Sequence, residues 1–204
     1  MNPRAFDVVM FDMGGVLVEL GGMSVMMEWT AGKWTEAQLW RKWLLCEAGR
    51  AFESGRIGPA AFAVAMIEEF ELPVSPETYL HTFRNWILAP YPGALELLDG
   101  LAGTYTRACL SNTNELHWER MAESMGLGVR FEHVFPSHLT GRVKPDRDAF
   151  VVALERMSAI PARVLYFDDS PVNVEAARAL GIAAYRVAGV VGVRRILDGL
   201  KEES

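Results

Sequence analysis

Polar side chains that can do chemistry stand directly after apolar runs typical of buried strands. Asp12 follows the run Val8–Phe11, and Ser111 and Asn112 follow the run Thr106–Leu110. A carboxylate can act as a nucleophile or a metal ligand, while a hydroxyl and an amide can hold the oxygens of an anion. The carboxyl ends of the strands form the functional edge of an open α/β sheet, so we expect these groups to meet there.

Three more charged residues occupy comparable positions later in the sequence. Asp168 and Asp169 follow the apolar run Val164–Phe167, and Lys144 lies in the segment RVKPD. Together with Asp12, the two acids would place three carboxylates at one edge, where they repel each other unless a divalent cation neutralises them. Carboxylate oxygens are hard ligands that suit Mg²⁺, so the pattern predicts a magnesium site.

A hydroxyl, an amide and an ammonium complete this set of groups. Ser111, Asn112 and Lys144 would supply several hydrogen-bond donors and one positive charge, which match the three oxygens of a phosphoryl group. Asp12, exposed at the end of its strand, can then attack phosphorus and form an aspartyl-phosphate. Each motif alone also fits an ordinary turn or helix cap, so the prediction depends on their joint order, each after a predicted strand.

The elements that must position these residues alternate between strands and helices. This alternation predicts an α/β fold in which a Rossmann-like parallel sheet is flanked by helices. The predicted strands are Val8–Phe11, Thr106–Leu110, Val134–Phe135, Val164–Phe167 and Ala183–Val187. Apolar residues at helical spacing predict helices at Ala94–Leu101, Trp118–Met125, Phe150–Met157 and from Ser170 to Gly181.

One interval breaks the alternation. Between about residues 18 and 90 the sequence shows little strand-like alternation and contains five of the six tryptophans. We therefore predict a helical domain over residues 18–90, inserted after the first strand, and an α/β core domain formed by residues 1–17 and 91–204. The predicted helices of this insert are Met23–Trp29, Glu36–Glu47, Pro59–Phe70 and Pro76–Trp86.

Composition limits the partners of the protein. The 204 residues carry a net charge of −6 without a basic stripe, so we expect no nucleic-acid partner. No apolar stretch is long enough to span a bilayer, so we expect no membrane partner either. Cys46 and Cys109 are the only cysteines, and Cys109 falls in a predicted buried strand, which favours the reducing cytoplasm over a disulfide. The sequence leaves open a homodimer.

Four segments, taken in order, resemble the haloacid dehalogenase (HAD) superfamily. They are FDMGGVL, LSNTN, VKPD and YFDDSPVNVEAARALG, and the likeness extends over essentially the whole chain. The long helical insert after the first segment resembles the C1-type cap of that superfamily. The segments FDMGGVLVEL, SNTNELH and FESGRIGPAAF are most similar to the branch that contains α-D-glucose-1-phosphate phosphatase and the N-terminal domain of soluble epoxide hydrolase.

The resemblance implies a role for each polar residue of the phosphoryl site. Asp12 would attack phosphorus, and Ser111 together with the backbone of Asn112 would hold phosphoryl oxygens. Lys144 would neutralise charge between Asp12 and the phosphate. The partner would be a small-molecule phosphate.

The resemblance also implies a Mg²⁺ site. Asp12 and Asp169 would bind the ion directly, with Asp168 as a further or outer ligand. Gly14 would offer its backbone carbonyl to the metal, and Asn173 would orient Asp169.

Gly14 departs from the pattern of most phosphatases in the superfamily, which carry a second Asp two residues after the nucleophile. That Asp acts as acid on the leaving group and then as base on water, and such help is worth about 10²–10⁴ in rate. Another group or a water could substitute, the substrate could carry a good leaving group such as an anomeric oxygen, or the protein could be a slow enzyme or a binder. The glucose-1-phosphate phosphatase branch resembles this chain in having glycine here.

The leading hypothesis is a Mg²⁺-dependent phosphatase that hydrolyses a small sugar phosphate through an aspartyl-phosphate. One alternative is a 2-haloacid dehalogenase, which also uses an attacking Asp and needs no metal. Unscreened Asp168 and Asp169 argue against it, because they would raise the cost of forming anionic products. A second alternative is a non-catalytic protein that binds a phosphorylated metabolite.

Other polar residues are predicted to have no role in chemistry. His117 is expected on an exposed helix turn. Arg50, Glu53 and Arg56 flank a predicted turn of the insert, where a solvated loop is favoured over a contact with substrate. The tryptophans of the insert are expected to pack rather than to stack on a sugar ring.

Overall fold

The computed structural model describes residues 5–202, which contain seven strands. Residues 1–4 and 203–204, which the predicted core domain includes, lie outside the described part of the chain. The strands are β1 (Val8–Phe11), β2 (Val18–Leu20), β3 (Ile87–Pro90), β4 (Thr106–Ser111), β5 (His133–Pro136), β6 (Val164–Asp168) and β7 (Ala183–Arg186). Five of them form a parallel sheet in the order β5-β4-β1-β6-β7, while β2 and β3 pair antiparallel.

The described helices lie between and after the strands. They are α1 (Gly22–Trp29), α2 (Glu36–Leu45), α3 (Glu47–Glu53), α4 (Pro59–Phe70), α5 (Pro76–Arg84), α6 (Ala94–Leu101), α7 (Glu115–Glu119), α8 (Ser137–Thr140), α9 (Arg147–Met157), α10 (Pro171–Arg178) and α11 (Gly189–Glu202). A π-helical turn, Arg120–Ser124, continues α7 toward Gly126, where φ is +66°. Glycine tolerates this left-handed conformation, so the predicted helix ends where expected.

The sheet is buried on both faces. Side chains alternate along β1, with Val9 and Phe11 in one apolar cluster and Val8 and Met10 in the other. Helices α6 and α11 cover the first face, while α9 and α10 cover the second. A parallel strand covered on both faces must be apolar throughout, which explains why continuous apolar runs predicted these strands. The predicted α/β fold class is confirmed.

Helices α1–α5 have an aromatic cluster of their own. Phe52 and Phe62 stack with ring centroids 4.3 Å apart, and Phe62 packs edge-on against Phe83 at 5.0 Å. The prediction of one helix over Glu36–Glu47 is wrong, because Cys46 is extended (φ −70°, ψ 118°) and separates α2 from α3. Treating residues 18–90 as a separate domain stays a prediction, which this third cluster motivates.

The antiparallel pair β2–β3 was not expected from the sequence. Val18 pairs with Pro90 and Leu20 with Ile87, with a register shift between them. In each of the two strands only the first residue is buried, so neither has the buried face from which a recognisable strand pattern arises. The pair joins the two points at which the chain enters and leaves α1–α5.

The two cysteines are buried and free, as the sequence suggested. Cys46 lies in the helical insert, where its Sγ is 3.5 Å from Sδ of Met66, and Cys109 lies in β4. Among residues 5–202, none of the helices has the length and apolarity that crossing a bilayer requires.

Candidate active site

Three predicted site residues lie side by side at the carboxyl edge of the sheet. Asp12 follows β1, Ser111 ends β4 and Asp168 ends β6, and β1 lies between the other two strands. A cavity of about 270 Å³ opens at this edge, and its wall includes Asp12, Ser111, Lys144 and Asp169. The structure therefore brings together residues that are up to 157 positions apart in the sequence.

Lys144 is the cation at the centre of the site. Its Nζ lies 3.0 Å from Oδ1 of Asp12 and 2.8 Å from Oδ2 of Asp168, and donates to the hydroxyl of Tyr166 at 3.1 Å. The residue is only 3% exposed. Burial lowers its pKa, but the carboxylates of Asp12 and Asp168 outweigh burial and hold the pKa above its ordinary value. Lys144 is therefore charged at physiological pH.

The side chain of Asn112 fixes the backbone of Lys144. Its Oδ1 accepts from the Lys144 amide at 2.8 Å, and its Nδ2 donates to the Lys144 carbonyl at 2.9 Å. The side chain of Asn112 is thus engaged within the protein, and the role that the resemblance implied for its backbone stays a prediction. Ser111 is 3% exposed, and its hydroxyl makes no hydrogen bond to the described residues.

Asp12 is held by two local contacts. Its amide donates to the carbonyl of Phe167 at 2.8 Å, and its Oδ1 accepts from the amide of Met13 at 2.7 Å. Burial raises the pKa of Asp12 to about 7, with Lys144 opposing the shift and the neighbouring acids adding to it. More positive charge at this site would favour the ionised form of Asp12.

The two adjacent acids of β6 have different environments. Asp168 is fully buried, and its carboxylate accepts from the Tyr166 hydroxyl, from the Ser170 amide at 2.8 Å and from Nδ2 of Asn173 at 3.1 Å. The implied contact of Asn173 with Asp169 is therefore wrong. Successive side chains of a strand point in opposite directions, so Asp168 turns inward to Asn173 while Asp169 remains exposed.

The structure explains Gly14 and Gly15, which follow Asp12, in different ways. Gly15 has φ +70°, and a Cβ there would lie 2.3 Å from Oδ2 of Asp169, so both backbone angle and space require glycine. A Cβ on Gly14 would lie 3.0 Å from Cδ1 of Leu20, a half-exposed side chain. The Gly14 carbonyl accepts no backbone hydrogen bond from the described residues, so it is free to bind a cation as the resemblance implied.

The donor set fits a divalent cation. Asp12, Asp168 and Asp169 each offer an oxygen, and these oxygens lie within 4.8 Å of one another. Three carboxylates and the single ammonium of Lys144 leave two negative charges uncompensated when all are ionised. All donors are hard oxygens, which suit Mg²⁺.

The opposite wall of the cavity comes from the helical insert. Its indoles are Trp40, Trp43 and Trp86, and two charged residues of α3, Arg50 and Glu53, line it as well. The expectation of a solvated loop is wrong for Arg50 and Glu53, which lie on α3 and line the cavity. Nothing in a single sequence shows which face of the insert meets the sheet edge. Tyr166 was missed as well, although it stands two residues before Asp168 and so shares its side of β6.

His117 is not on an exposed turn, and that expectation is wrong. It is 9% exposed, its Nε2 donates to the Phe83 carbonyl at 2.7 Å, and its Nδ1 lies 3.2 Å from Nδ2 of Asn114. Burial lowers its pKa to about 4, against the smaller opposite effect of the Phe83 carbonyl. His117 is thus a neutral residue that joins α7 to the end of α5.

Sequence comparisons give two kinds of relative. Residues 6–181 match the family described as haloacid dehalogenase-like hydrolase. An (S)-2-haloacid dehalogenase of Xanthobacter autotrophicus is 27% identical over 164 residues, 79% of this chain and 63% of that protein. A phosphorylated carbohydrates phosphatase of Thermotoga maritima is 44% identical over 48 residues, 24% of this chain and 21% of that protein. The chain thus spans less than two thirds of either relative.

Solved structures with the same fold cover most of the chain. A HAD family enzyme of Bacteroides thetaiotaomicron has a TM-score of 0.75 at 24% identity, over 90% of this chain and 94% of that one. A complex of that enzyme with magnesium and inorganic phosphate has a TM-score of 0.73 at 24% identity, over 89% and 93%. The L-2-haloacid dehalogenase of X. autotrophicus has a TM-score of 0.65 at 21% identity, over 89% and 77%.

Proposed function

The chain belongs to the haloacid dehalogenase-like hydrolase family, and from this premise we propose that it is a Mg²⁺-dependent phosphatase of small phosphorylated metabolites. The observation that carries the proposal is the charge of the site. Three carboxylates meet one buried ammonium, and a divalent cation would bring the sum to zero. With the cation bound, the carboxylates would no longer repel a dianionic phosphate ester, and the cation and hydrogen-bond donors could bind it.

In the proposed reaction the residues of the sheet edge have distinct tasks. Asp12 attacks phosphorus and becomes the aspartyl-phosphate, which water then hydrolyses. Ser111 and the Asn112 amide hold phosphoryl oxygens, and Lys144 neutralises charge between nucleophile and phosphate. Asp12, the Gly14 carbonyl and Asp169, with Asp168 as a further or outer ligand, would hold Mg²⁺, and the bound ion would supply positive charge beside the phosphoryl group.

A sugar phosphate is the substrate class we propose. The part of the cavity wall formed by the helical insert includes three indoles, which suit an uncharged ring beside the phosphate. Gly14 supports a substrate whose leaving oxygen needs little help, such as an anomeric oxygen. The curated relative from T. maritima, a phosphatase of phosphorylated carbohydrates, agrees with this class.

A metal-independent 2-haloacid dehalogenase is the second candidate. The relative from X. autotrophicus, the absence of an acid at Gly14 and the indole-rich cavity favour it. The exposed carboxylate of Asp169 beside Asp12 counts against it, since without a cation it would repel both the substrate carboxylate and the released halide.

Product release decides between these candidates. We expect inorganic phosphate from a panel of phosphate monoesters with Mg²⁺, none with EDTA, and a loss of at least about 10³-fold in Asp12→Asn, which lacks the nucleophile. Chloride release from 2-haloacids that survives EDTA would establish the dehalogenase instead. Tight binding of phosphate esters without turnover would establish a binding protein.

Further proposals rest on the sequence alone. They are a C1-type cap, membership of the glucose-1-phosphate phosphatase branch, a cytoplasmic location, a homodimer, and the absence of nucleic-acid and membrane partners. Size-exclusion chromatography with light scattering tests the homodimer.

A further inference from the structure

Gly14 leaves the proposed reaction without a proton donor on the sheet edge. In an in-line displacement the leaving oxygen stands opposite the attacking oxygen, with phosphorus between them. Because Asp12 attacks from the sheet edge, the leaving oxygen faces the other wall of the cavity. That wall is built by the helical insert, and its charged residues on α3 are Arg50 and Glu53.

We propose that Glu53 is the general acid and base of this reaction, replacing the side chain that Gly14 lacks. This inference rests on the proposed phosphatase function and deepens it. Glu53 is the last residue of α3 and lines the same cavity as Asp12 and Lys144. It thus faces the phosphoryl site from the side at which the leaving oxygen would depart.

The position of Glu53 is fixed by contacts with the sheet edge. Its carbonyl lies 2.5 Å from the hydroxyl of Ser137, a buried residue at the start of α8, and that hydroxyl accepts from the Thr113 amide at 2.9 Å. Two residues later, a Cβ on Gly55 would lie 2.5 Å from the His138 carbonyl, so the backbones are in close contact. The end of α3 is therefore docked, which holds the backbone of Glu53 in place beside the cavity.

Other ionisable residues of the cavity wall are already engaged. Asp12 and Asp169 belong to the proposed metal set, and Lys144 bridges two acids. His117 uses both ring nitrogens inside the protein, and Arg50 forms an ion pair with Asp146. Glu53 differs from them, since its carboxyl makes no hydrogen bond to the described residues and is free to donate to a ligand.

The groups around Glu53 favour its protonated form near neutrality. Burial raises its pKa to about 7 and Asp12 adds to the shift, while Lys144 and Arg50 oppose it. On α8, the backbone of His138 lies against Gly55, just beyond α3, and burial lowers the pKa of the His138 ring, so it adds no positive charge at neutral pH. A carboxyl with this environment can both give and take a proton at physiological pH.

In the proposed reaction Glu53 gives one proton in the first half and regains one in the second. An oxygen of Asp12 forms a bond to phosphorus, the ester P–O bond breaks, and the leaving oxygen takes the proton of the Glu53 carboxyl. In the second half, the Glu53 carboxylate takes a proton from water while that water bonds to phosphorus. The P–O bond to Asp12 breaks, and phosphate leaves with Asp12 ionised and Glu53 protonated as at the start.

Substrates of different leaving-group quality test the assignment in Glu53→Gln. With an alkyl phosphate, which needs the proton, we expect kcat to fall by about 10²–10⁴. With p-nitrophenyl phosphate, whose nitrophenolate leaves unaided, we expect a pre-steady-state burst of nearly one nitrophenolate per site at a rate close to wild type. A slow steady state should follow the burst, because the base for the second half is missing.

Two variants complete the design. Glu47→Gln removes an exposed acid from the same helix and should keep wild-type rates with both substrates. Gly14→Asp, introduced together with Glu53→Gln, should recover at least about ten-fold of the lost rate, since only the flexible Leu20 side chain must shift.

The outcomes separate this inference from the proposed function. If wild type turns over phosphate esters and Glu53→Gln matches it with the alkyl phosphate, Glu53 is not the acid and the phosphatase function stands. If the burst rate of folded Glu53→Gln with p-nitrophenyl phosphate falls by the same factor as its kcat with the alkyl phosphate, the role of Glu53 is likewise overturned. A wild-type protein inactive on every phosphate ester would overturn both proposals.

Discussion

Lys144 is a buried cation between acids, and its removal should be costly. In Lys144→Met the carboxylates of Asp12 and Asp168 would remain without their ammonium. Removing one partner of a buried ion pair costs roughly 3–5 kcal/mol, so we expect the free energy of unfolding at pH 8 to fall by about 3 kcal/mol. Urea denaturation with EDTA present measures the change.

The deficit of Lys144→Met should shrink at pH 5.5. Lys144 is charged in folded and unfolded chains across this range, but Asp12, with a pKa of about 7, takes up a proton and ends the repulsion. Lys33→Met, which removes an exposed ion pair with Glu71, serves as the control and should change stability by less than about 1 kcal/mol. A deficit independent of pH would contradict the assigned charges.

Glu53 should have the opposite effect on stability. Its pKa is about 7 in the folded protein against an ordinary value of 4.5, so folding loses stability as the pH rises from 4.5 to 7. Glu53→Gln removes this cost, and we expect a gain of about 1–3 kcal/mol at pH 8 and a smaller one at pH 5. Urea denaturation of the metal-free wild type and variant at both pH values measures the two gains. Equal gains at pH 8 and pH 5 would contradict the raised pKa of Glu53.

The part of the site that could be predicted was the side of the cavity formed by the sheet edge. Asp12, Ser111 and Asp168 follow continuous apolar strands, so their convergence could be inferred from the geometry of a parallel sheet. Glu53 could not be assigned in this way, because its position depends on how α3 docks on α8. The prediction that Asn173 orients Asp169 was wrong for a similar reason, since the partner of Asn173 depends on which way Asp168 turns.

Between elements, the hydroxyl of Ser137 joins α3 to the sheet edge. In Ser137→Ala the Thr113 amide would lose its acceptor, and the Glu53 carbonyl its nearest donor. A buried unsatisfied group costs about 1–3 kcal/mol, so we expect a loss in that range by thermal or urea denaturation. Ser24→Ala removes an exposed hydroxyl that donates to the Gly21 carbonyl, and it should lower the free energy of unfolding by less than about 0.5 kcal/mol. Equal losses in the two variants would show that the Ser137 contacts contribute little.

Elements with a clear pattern of buried residues were predictable, and the pair β2–β3 was not. The five sheet strands and the helix Pro59–Phe70 have residue patterns that span several residues. The break at Cys46 has no glycine or proline to indicate it, and β2 and β3 each bury only their first residue, so neither has a buried face that shows a pattern. These elements exist because tertiary pairing and packing outweigh weak local preferences.

At the scale of the molecule, a cation that binds the folded site should stabilise the whole chain. We expect Mg²⁺ to raise the unfolding free energy by about 2.7 kcal/mol at a concentration 100-fold above its Kd. Asp169→Asn should abolish this dependence while leaving the metal-free protein folded, because Asp169 is an exposed member of the cluster. Thermal unfolding with Mg²⁺ titrated against EDTA measures both.

The control for this titration is Asp148→Asn, an exposed acid on α9 far from the cluster in sequence. It should keep the full response to Mg²⁺. A response that persists in Asp169→Asn would mean that the stabilising ion binds elsewhere.

The pairing of β2 with β3 has a consequence for engineering and evolution. Since Val18 lies beside Pro90, and the Gly21 amide bonds the Trp86 carbonyl at 2.9 Å, the whole run of α1–α5 occupies the place of a hairpin loop. A loop whose ends already meet can be shortened or exchanged at small entropic cost. Grafting another loop between these strands would thus be a way to change which leaving groups the protein accepts, while Asp12 and its neighbours keep their places.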